Sequence, residues 1–189
     1  MHQLLIATRN KGKVREIQSL LKGLDVQVLT LNDVGLTIEV EEDGTTYQEN
    51  AGKKARVYSQ ASGLIALADD SGLEVDALGG APGLYSARYS GVPGATDADR
   101  RAFLLEHLKG KPRPWTAHFH ATVALATPDG TIRYTEGNCY GEIIPEERGT
   151  GGFGYDPIFF LPNLNCTMAE LTMEEKNRLS HRALAVQAA

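Results

Sequence analysis

Residues 3–21 read QLLIATRNKGKVREIQSLL, and a change of period inside them decides the fold class. Gln3 to Ala7 is a continuous apolar run, the pattern of a strand buried on both faces. From Asn10 onward the apolar positions fall at Val14, Ile17, Leu20 and Leu21, the stripe of an amphipathic helix. The chain therefore opens strand, loop, helix. Outward from there, Val26 to Leu29 reads as a second strand, Asn32 to Thr45 as a long acidic loop, and Tyr47 to Ala61 as a helix ending near Gly63. Leu64 to Ala68 reads as a short strand that delivers Asp69, Asp70, Ser71 and Gly72 at its end. Gly79 to Gly94 is a Gly- and Pro-rich loop, and Asp97 to Leu108 a helix with Phe103, Leu104 and Leu108 facing inward.

The second half changes character. Trp115 to Thr127 alternates, with Ala117, Phe119, Ala121, Val123 and Leu125 on one face, and Pro128-Asp129-Gly130 turns it into a second strand, Thr131 to Tyr140. Pro157 to Leu161 gives another strand after a Gly-rich loop, and Thr172 with Glu175 forms a capping box that opens a helical C-terminal region. Strands that alternate with helices and then form a hairpin predict an α/β fold with a mixed β-sheet flanked by helices, in two lobes with a central ligand cleft, residues 1–189 forming one domain.

Composition narrows the function. The 189 residues are 42% hydrophobic and carry a formal charge of -5, which argues against a nucleic-acid surface and requires any anionic ligand to meet local, placed cations. Cys139 and Cys166 lie far apart in no metal-type spacing, so free thiols in a reducing compartment are expected. The apolar run at the N-terminus is too short for a signal peptide, and no segment approaches the roughly 20 apolar residues of a membrane span. A cytoplasmic protein without membrane or nucleic-acid partners is the expectation.

Four motifs could carry chemistry. Thr8-Arg9-Asn10-Lys11-Gly12-Lys13 lies at a strand-to-helix junction, where free N–H groups, the helix dipole and Lys13 could cradle phosphate; equally, Asn10 could cap the helix beside surface lysines. It is not a P-loop, for the G-x-x-x-x-G-K-[ST] spacing is missing. The acidic doublets Glu41-Glu42 and Asp69-Asp70 could hold magnesium, a hard ion that takes one or two carboxylates along with water and phosphate oxygens; a solvated acidic loop is the other reading of the first doublet. Adjacent residues of an extended chain point apart, so one member of each doublet is expected at a site.

Gly149-Thr150-Gly151-Gly152-Phe153-Gly154-Tyr155-Asp156-Pro157 contains a literal G-x-G-x-x-G, but a strand follows where a dinucleotide fold needs a helix. Its glycines could admit a flat ligand between Phe153 and Tyr155, or its aromatics could plug the core. Lys176 and Ser180 fall four apart and would share a helical face beside Asn177, His181 and Arg182, which is either a donor set or an ordinary solvated face; if Ser180 instead caps a new helix, its N–H groups become further donors. His118 and His120 share a strand face without a third metal ligand, Ser71 lacks the setting of a nucleophile, and Ser86 to Ser90 could supply Arg88 to a site or pin its own loop.

Together, Thr8 to Lys13, Glu41-Glu42 through Glu49-Asn50-Ala51 to Lys54-Ala55, Ala68 to Leu73, Gly79 to Gly91, Gly151 to Phe160, and Ala169-Glu170-Leu171 to Arg182 resemble one family closely. It is that of the inosine and xanthosine triphosphate pyrophosphatases, the house-cleaning enzymes for non-canonical purine nucleotides. The resemblance implies magnesium-dependent cleavage of ITP, dITP and XTP to monophosphate and pyrophosphate, a nucleotide-binding cleft, and a homodimer. It implies that Thr8 to Lys13 and Lys54 hold phosphates, that Glu41 and Asp70 ligate magnesium, that Asp70 activates water, and that Ser71 contacts substrate. Phe153, Gly154, Tyr155, Asp156, Lys176, His181 and Arg182 then surround the base. The family usually has Gly at the place of Arg9. Two other classes remain: a pyrophosphatase for modified pyrimidine or methylated nucleotides, and a nucleotide binder without catalysis.

Overall fold

The structure is a computed structural model that describes residues 2–189. Among these, the strands are β1 (His2–Ile6), β2 (Val26–Thr30), β3 (Ile65–Val75), β4 (Trp115–Ala126), β5 (Ile132–Ile143), β6 (Phe159–Leu161) and β7 (Cys166–Thr167). The α-helices are α1 (Lys11–Leu20), α2 (Tyr47–Ser62), α3 (Asp97–Leu108), α4 (Met173–Leu179) and α5 (His181–Ala188). The strands of the described residues form one seven-stranded sheet in the order β2-β1-β3-β4-β5-β6-β7. β1 pairs in parallel with β2 and β3, setting Leu4 opposite Val28 and Ile65. β6 pairs antiparallel with β5 and β7, so the sheet is mixed.

The chain divides into two compact units, the first made of residues up to Asp70 with Ala121–Gly137 and Ser180–Ala189, the second of Ser71–His120 and Asn138–Leu179. In the first, strand residues alternate between two helical layers, because successive side chains leave a sheet on opposite faces. Leu5 of β1 and Ala7 just after it, Ala66 and Ala68 of β3, and Ala124 and Ala126 of β4 pack with Ala51, Ala55 and Tyr58 of α2. Ile6, Leu67, Ala121 and Val123 turn the other way, onto Ile17 and Leu21 of the α1 segment and Ala185 and Val186 of α5. This double burial explains why β1 has no polar alternation. In the second unit, Leu104 and Leu108 of α3 join Leu73, Val75, Trp115, Phe119, Ile158 and Phe159 in one core.

Local chemistry sets the helix ends. The Asn10 side chain accepts from the N–H groups of Gly12 and Lys13 and starts α1. Thr46 with Glu49 and Thr96 with Asp99 make reciprocal capping boxes at α2 and α3, and α2 stops at Gly63 in the left-handed conformation.

Three expectations need correction. β3 does not stop at Ala68 but runs to Val75, carrying Asp69, Asp70 and Ser71 within it, because both carboxylates are compensated inside the protein and Leu73 and Val75 extend the core. Pro157 belongs to a 3₁₀ turn, Asp156–Ile158, and β6 begins only at Phe159. Lys176 and Ser180 do not share one helix; the other reading holds, in which Ser180 caps a new one, its hydroxyl accepting from the N–H of Ala183. Cys139 and Cys166 are free thiols, as expected, although only Cys139 is buried.

Candidate active site

In the first unit, four separate pieces of chain deliver charge to the middle of β3. Asp69 is 0% exposed and forms the hub. Its Oδ1 lies 3.3 Å from Lys13 Nζ in α1, its Oδ2 accepts from Arg182 Nε in α5 at 3.0 Å, and its backbone carbonyl accepts from Lys54 Nζ in α2 at 2.7 Å. Arg182 Nη1 donates in turn to Glu16 of α1, and Lys54 Nζ to Glu42 of the acidic loop. Asp70 stands next along the strand, 7% exposed, its Oδ2 accepting from Asn50 Nδ2 at 2.9 Å.

Charges this deep must be compensated, because a buried ion without partners costs several kcal/mol. For Asp69, burial opposes ionisation, but Lys13, Arg182 and Lys54 outweigh it and hold the carboxyl well below the usual range. Arg182 is likewise held charged: burial opposes it, and Asp69 and Glu16 prevail. Lys13 goes the other way. Burial lowers its pKa, Asp69 counters only in part, and the positive charges of Lys54 and Arg182 lower it further. Asp70 is shifted up, first by burial and then by the charge of Glu42, against the opposing pull of Lys54, Lys13 and Asn50.

The result is two polarised groups side by side. Burial disfavours the charge of both, in spite of Asp69 beside Lys13 and of Lys54 and Lys13 beside Asp70; the first suits an anion, the second a hard cation or a proton. The cluster sets four carboxylates (Glu16, Glu42, Asp69, Asp70) against three cations (Lys13, Lys54, Arg182). With one net negative charge it does not neutralise a polyphosphate by itself. A divalent ion fits the deficit, and oxygen donors such as Asp70 are the ligands magnesium takes. Among the described residues no group of three or more His, Cys, Asp or Glu side chains is arranged to hold a metal, so any magnesium would need phosphate oxygens and water to complete its shell.

The second unit builds a different kind of site. Asp156 Oδ2 accepts from Lys176 Nζ at 2.6 Å and from the N–H of Phe153 at 2.9 Å, a buried ion pair tied to the glycine-rich loop. The loop closes so tightly that a Cβ on Gly152, at φ +69°, would stand 2.0 Å from Asp156 Oδ2 and 3.1 Å from Lys176 Nζ. Lys176 Nζ lies 5.4 Å from the centroid of the half-buried Phe153 ring. Tyr155 is buried instead, its hydroxyl donating to the Ser86 carbonyl at 2.9 Å.

A family model described as the Ham1 family matches residues 4–189, almost the whole chain. The chain belongs to the Ham1 family. It is 54% identical over 188 residues to a dITP/XTP pyrophosphatase of Geobacter sulfurreducens, covering 98% of this chain and 94% of that one. Of solved Ham1 structures, the HAM1 protein from Coxiella burnetii superposes with a TM-score of 0.88 at 40% identity, over 100% of this chain and 96% of that one. The nucleoside-triphosphatase / dITP/XTP pyrophosphatase from Mycobacterium abscessus gives a TM-score of 0.76 at 43% identity, covering 98% and 97%.

Set against the sequence reading, this Ham1 chain brings Lys13, Lys54, Asp70 and Arg182 into one buried cluster, and Phe153, Asp156 and Lys176 into another. The N–H groups of Gly12 and Lys13 are not open to an anion, since the Asn10 side chain takes both, and the Thr8 hydroxyl accepts from the N–H of Asn10 at 3.2 Å. Lys11 is exposed, and Arg9 Nη2 donates to the carbonyls of Leu36 and Ile38 at 2.9 and 3.1 Å, pinning the long loop. Glu41 is exposed and makes no side-chain hydrogen bond or ion pair among the described residues, whereas Glu42 is committed to Lys54. Ser71 is half-buried in β3, and His181 is buried at the start of α5. Tyr155 fills the core rather than offering a stacking face. His118 lies 3.5 Å from Glu74 and His120 bonds Asn138, so neither histidine is spare for a metal.

Sequence reading missed Glu16, Asn50 and the hub role of Asp69. Only a faint signal existed: Glu16 and Ile17 are adjacent on α1, and Glu16 falls on the otherwise apolar side.

Proposed function

We propose that this chain hydrolyses non-canonical purine nucleoside triphosphates, dITP and XTP together with ITP, to the monophosphate and pyrophosphate. The observation that carries the reading is the buried juxtaposition of Lys13, Asp69, Lys54 and Asp70 in one unit of a Ham1 fold, joined by relatives named dITP/XTP pyrophosphatase. Lys13 and Lys54 hold phosphate oxygens and offset charge that grows in the transition state. Asp70, its basicity raised by burial, takes the proton of the attacking water, and attack falls on the α-phosphorus with pyrophosphate leaving. Asp70 and the uncommitted Glu41 would hold magnesium, which would supply charge neutralisation for the polyphosphate. Asp69 and Arg182 act at one remove, fixing Lys13 in place.

The purine is assigned to Phe153, Asp156 and Lys176. Hypoxanthine and xanthine present a carbonyl acceptor at position 6 where adenine has an amino donor, so a site of N–H donors leaves groups unpaired against adenine. Lys176 is a donor of this kind, held in place by its bond to Asp156. A cytoplasmic homodimer is part of the proposal; among the described residues no helix is long and apolar enough to cross a membrane.

The test is pyrophosphate release from ITP, dITP, XTP, the standard triphosphates and modified pyrimidine nucleotides, with and without magnesium. Magnesium-dependent pyrophosphate from the first three supports the reading. Orthophosphate as product, preference for a pyrimidine, or binding without turnover overturns it.

A further inference from the structure

Gly154 is gripped on both sides of its backbone by one helix. Its N–H donates to Asp97 Oδ2 at 2.8 Å, and its carbonyl accepts from Arg101 Nη1 at 2.8 Å. Asp97 and Arg101 lie four apart on α3 and so share a face. Arg101 is itself held from behind, with Nε and Nη2 donating to the two carboxylate oxygens of Glu147 at 2.8 and 2.9 Å, a two-pronged pair in which the guanidinium plane is fixed. Asp97 also accepts from Arg100.

The helix behind this grip is anchored. Its first turn carries the Thr96–Asp99 capping box, and Leu104 and Leu108 are fully buried in the core of the second unit. The residue in front of it is the opposite case. Gly154 has φ +63°, and a Cβ there would meet nothing within 4 Å, so conformation rather than crowding selects glycine. A left-handed glycine in an open setting does not hold its neighbours by packing. On its two sides stand Phe153, tied through its N–H to Asp156, and Tyr155, tied through its hydroxyl to Ser86. The α3 grip adds a restraint at Gly154, which has no side chain to supply its own.

We propose that Asp97 and Arg101 are positioning residues that set the Phe153 ring and its ion-pair neighbours for the purine, and so tune which base this site accepts. The inference rests on the reading that this loop takes the base. A ring displaced by about 1 Å loses stacking and donor alignment together, which corresponds to effects of tenfold and more on substrate use. Neither residue touches the substrate in this account; both act through the Gly154 peptide.

Arg101→Met keeps the apolar stem and removes both the Gly154 and Glu147 bonds, Arg101→Lys restores one donor, and Asp97→Ala tests the other arm. Pyrophosphate release by the full chain is measured with ITP and GTP, together with the thermal midpoint. Arg101→Met is expected to raise KM for ITP about tenfold with kcat within about twofold, and to narrow the ITP-to-GTP ratio of kcat/KM. Arg101→Lys recovers part of the loss, Asp97→Ala moves the same ratio in the same direction, and the midpoint barely changes in the lysine variant.

Unchanged KM and ratio in Arg101→Met overturn the proposal. So does a parallel fall of kcat/KM on both nucleotides that follows the midpoint and that lysine does not relieve, since that is the mark of a structural role alone. Phe153→Ala and Lys176→Met separate the two layers. If they raise KM for ITP while Arg101→Met does not, the positioning role fails and the base reading stands; if they too leave KM unchanged, both fail.

Discussion

The charged cluster on β3 and the glycine-rich loop of the second unit solve the same problem, holding a lysine against a carboxylate out of water, by opposite means. Around Asp69 the partners come from α1, α2 and α5: Lys13 pairs with its carboxylate, Arg182 is shared between it and Glu16, and Lys54 joins its backbone carbonyl to Glu42. Around Asp156 backbone closes over the ion pair with Lys176, because Gly152 has no side chain to prevent it. The first arrangement is an electrostatic network whose members are individually frustrated, Lys13 pushed down and Asp70 pushed up. The second is a steric fit around one neutralised pair. A network of unequal charges is suited to binding and moving charge, a fitted loop to recognising shape. The two regions should therefore fail differently when altered.

The largest effect is expected at Asp70. Asp70→Asn keeps the shape and the Asn50 contact surface but removes the base, and turnover should fall about 10² to 10⁴-fold with KM within a few-fold, on every accepted nucleotide alike. Pyrophosphate release against concentration measures it, and a loss confined to one base would blur the contrast between the regions. Next come the acidic doublet's two members. Glu41→Gln should raise the magnesium concentration needed for half-maximal activity about tenfold, whereas Glu42→Gln, which unpairs Lys54, should instead raise KM for the nucleotide. A magnesium titration of both variants decides, and identical profiles would contradict the division of labour.

A smaller effect is expected at Gly152. Gly152→Ala puts a methyl against Asp156 Oδ2 and Lys176 Nζ and retains a φ of +69°, a cost on the order of 1–3 kcal/mol in stability. Thermal unfolding should show it, and kinetics should show a change of base preference rather than a loss of metal dependence. The smallest effect is a matter of pH. Protonated Lys13 binds phosphate, and its pKa is lowered from 10.5, by burial first, so KM should rise as pH climbs through a value below 10.5. Lys13→Arg, which stays protonated, should move that alkaline limb to higher pH. An unmoved limb assigns it to another group.

How far each region could be read from sequence follows from the same contrast. The frame of the first unit was legible because its signals are local: the period change at Asn10, the helix formers from Tyr47 to Ala61, the stop at Gly63, and Asn10 as a cap. The network on it was not. Arg182 meets Asp69 across 113 residues and Glu16 across 166, and such pairs leave no spacing to find. β3 was cut short for the same reason, since a charged doublet reads as a strand end until its distant partners are known. In the second unit the loop was visible from its glycines, but not which aromatic faces out: Phe153 and Tyr155 are two apart and alike in sequence, and only the Ser86 carbonyl and the core behind it draw Tyr155 inward. The α3 grip on Gly154 was hidden because Asp97 and Arg101 look like ordinary helix-surface charges.

In the proposed mechanism the β3 cluster directs water onto the phosphorus nearest the sugar. Hydrolysis of ITP in ¹⁸O-labelled water, with products resolved by mass, tests it most directly. One labelled oxygen in the monophosphate and none in the pyrophosphate is the predicted result. Label in the pyrophosphate, or in released orthophosphate, would contradict it.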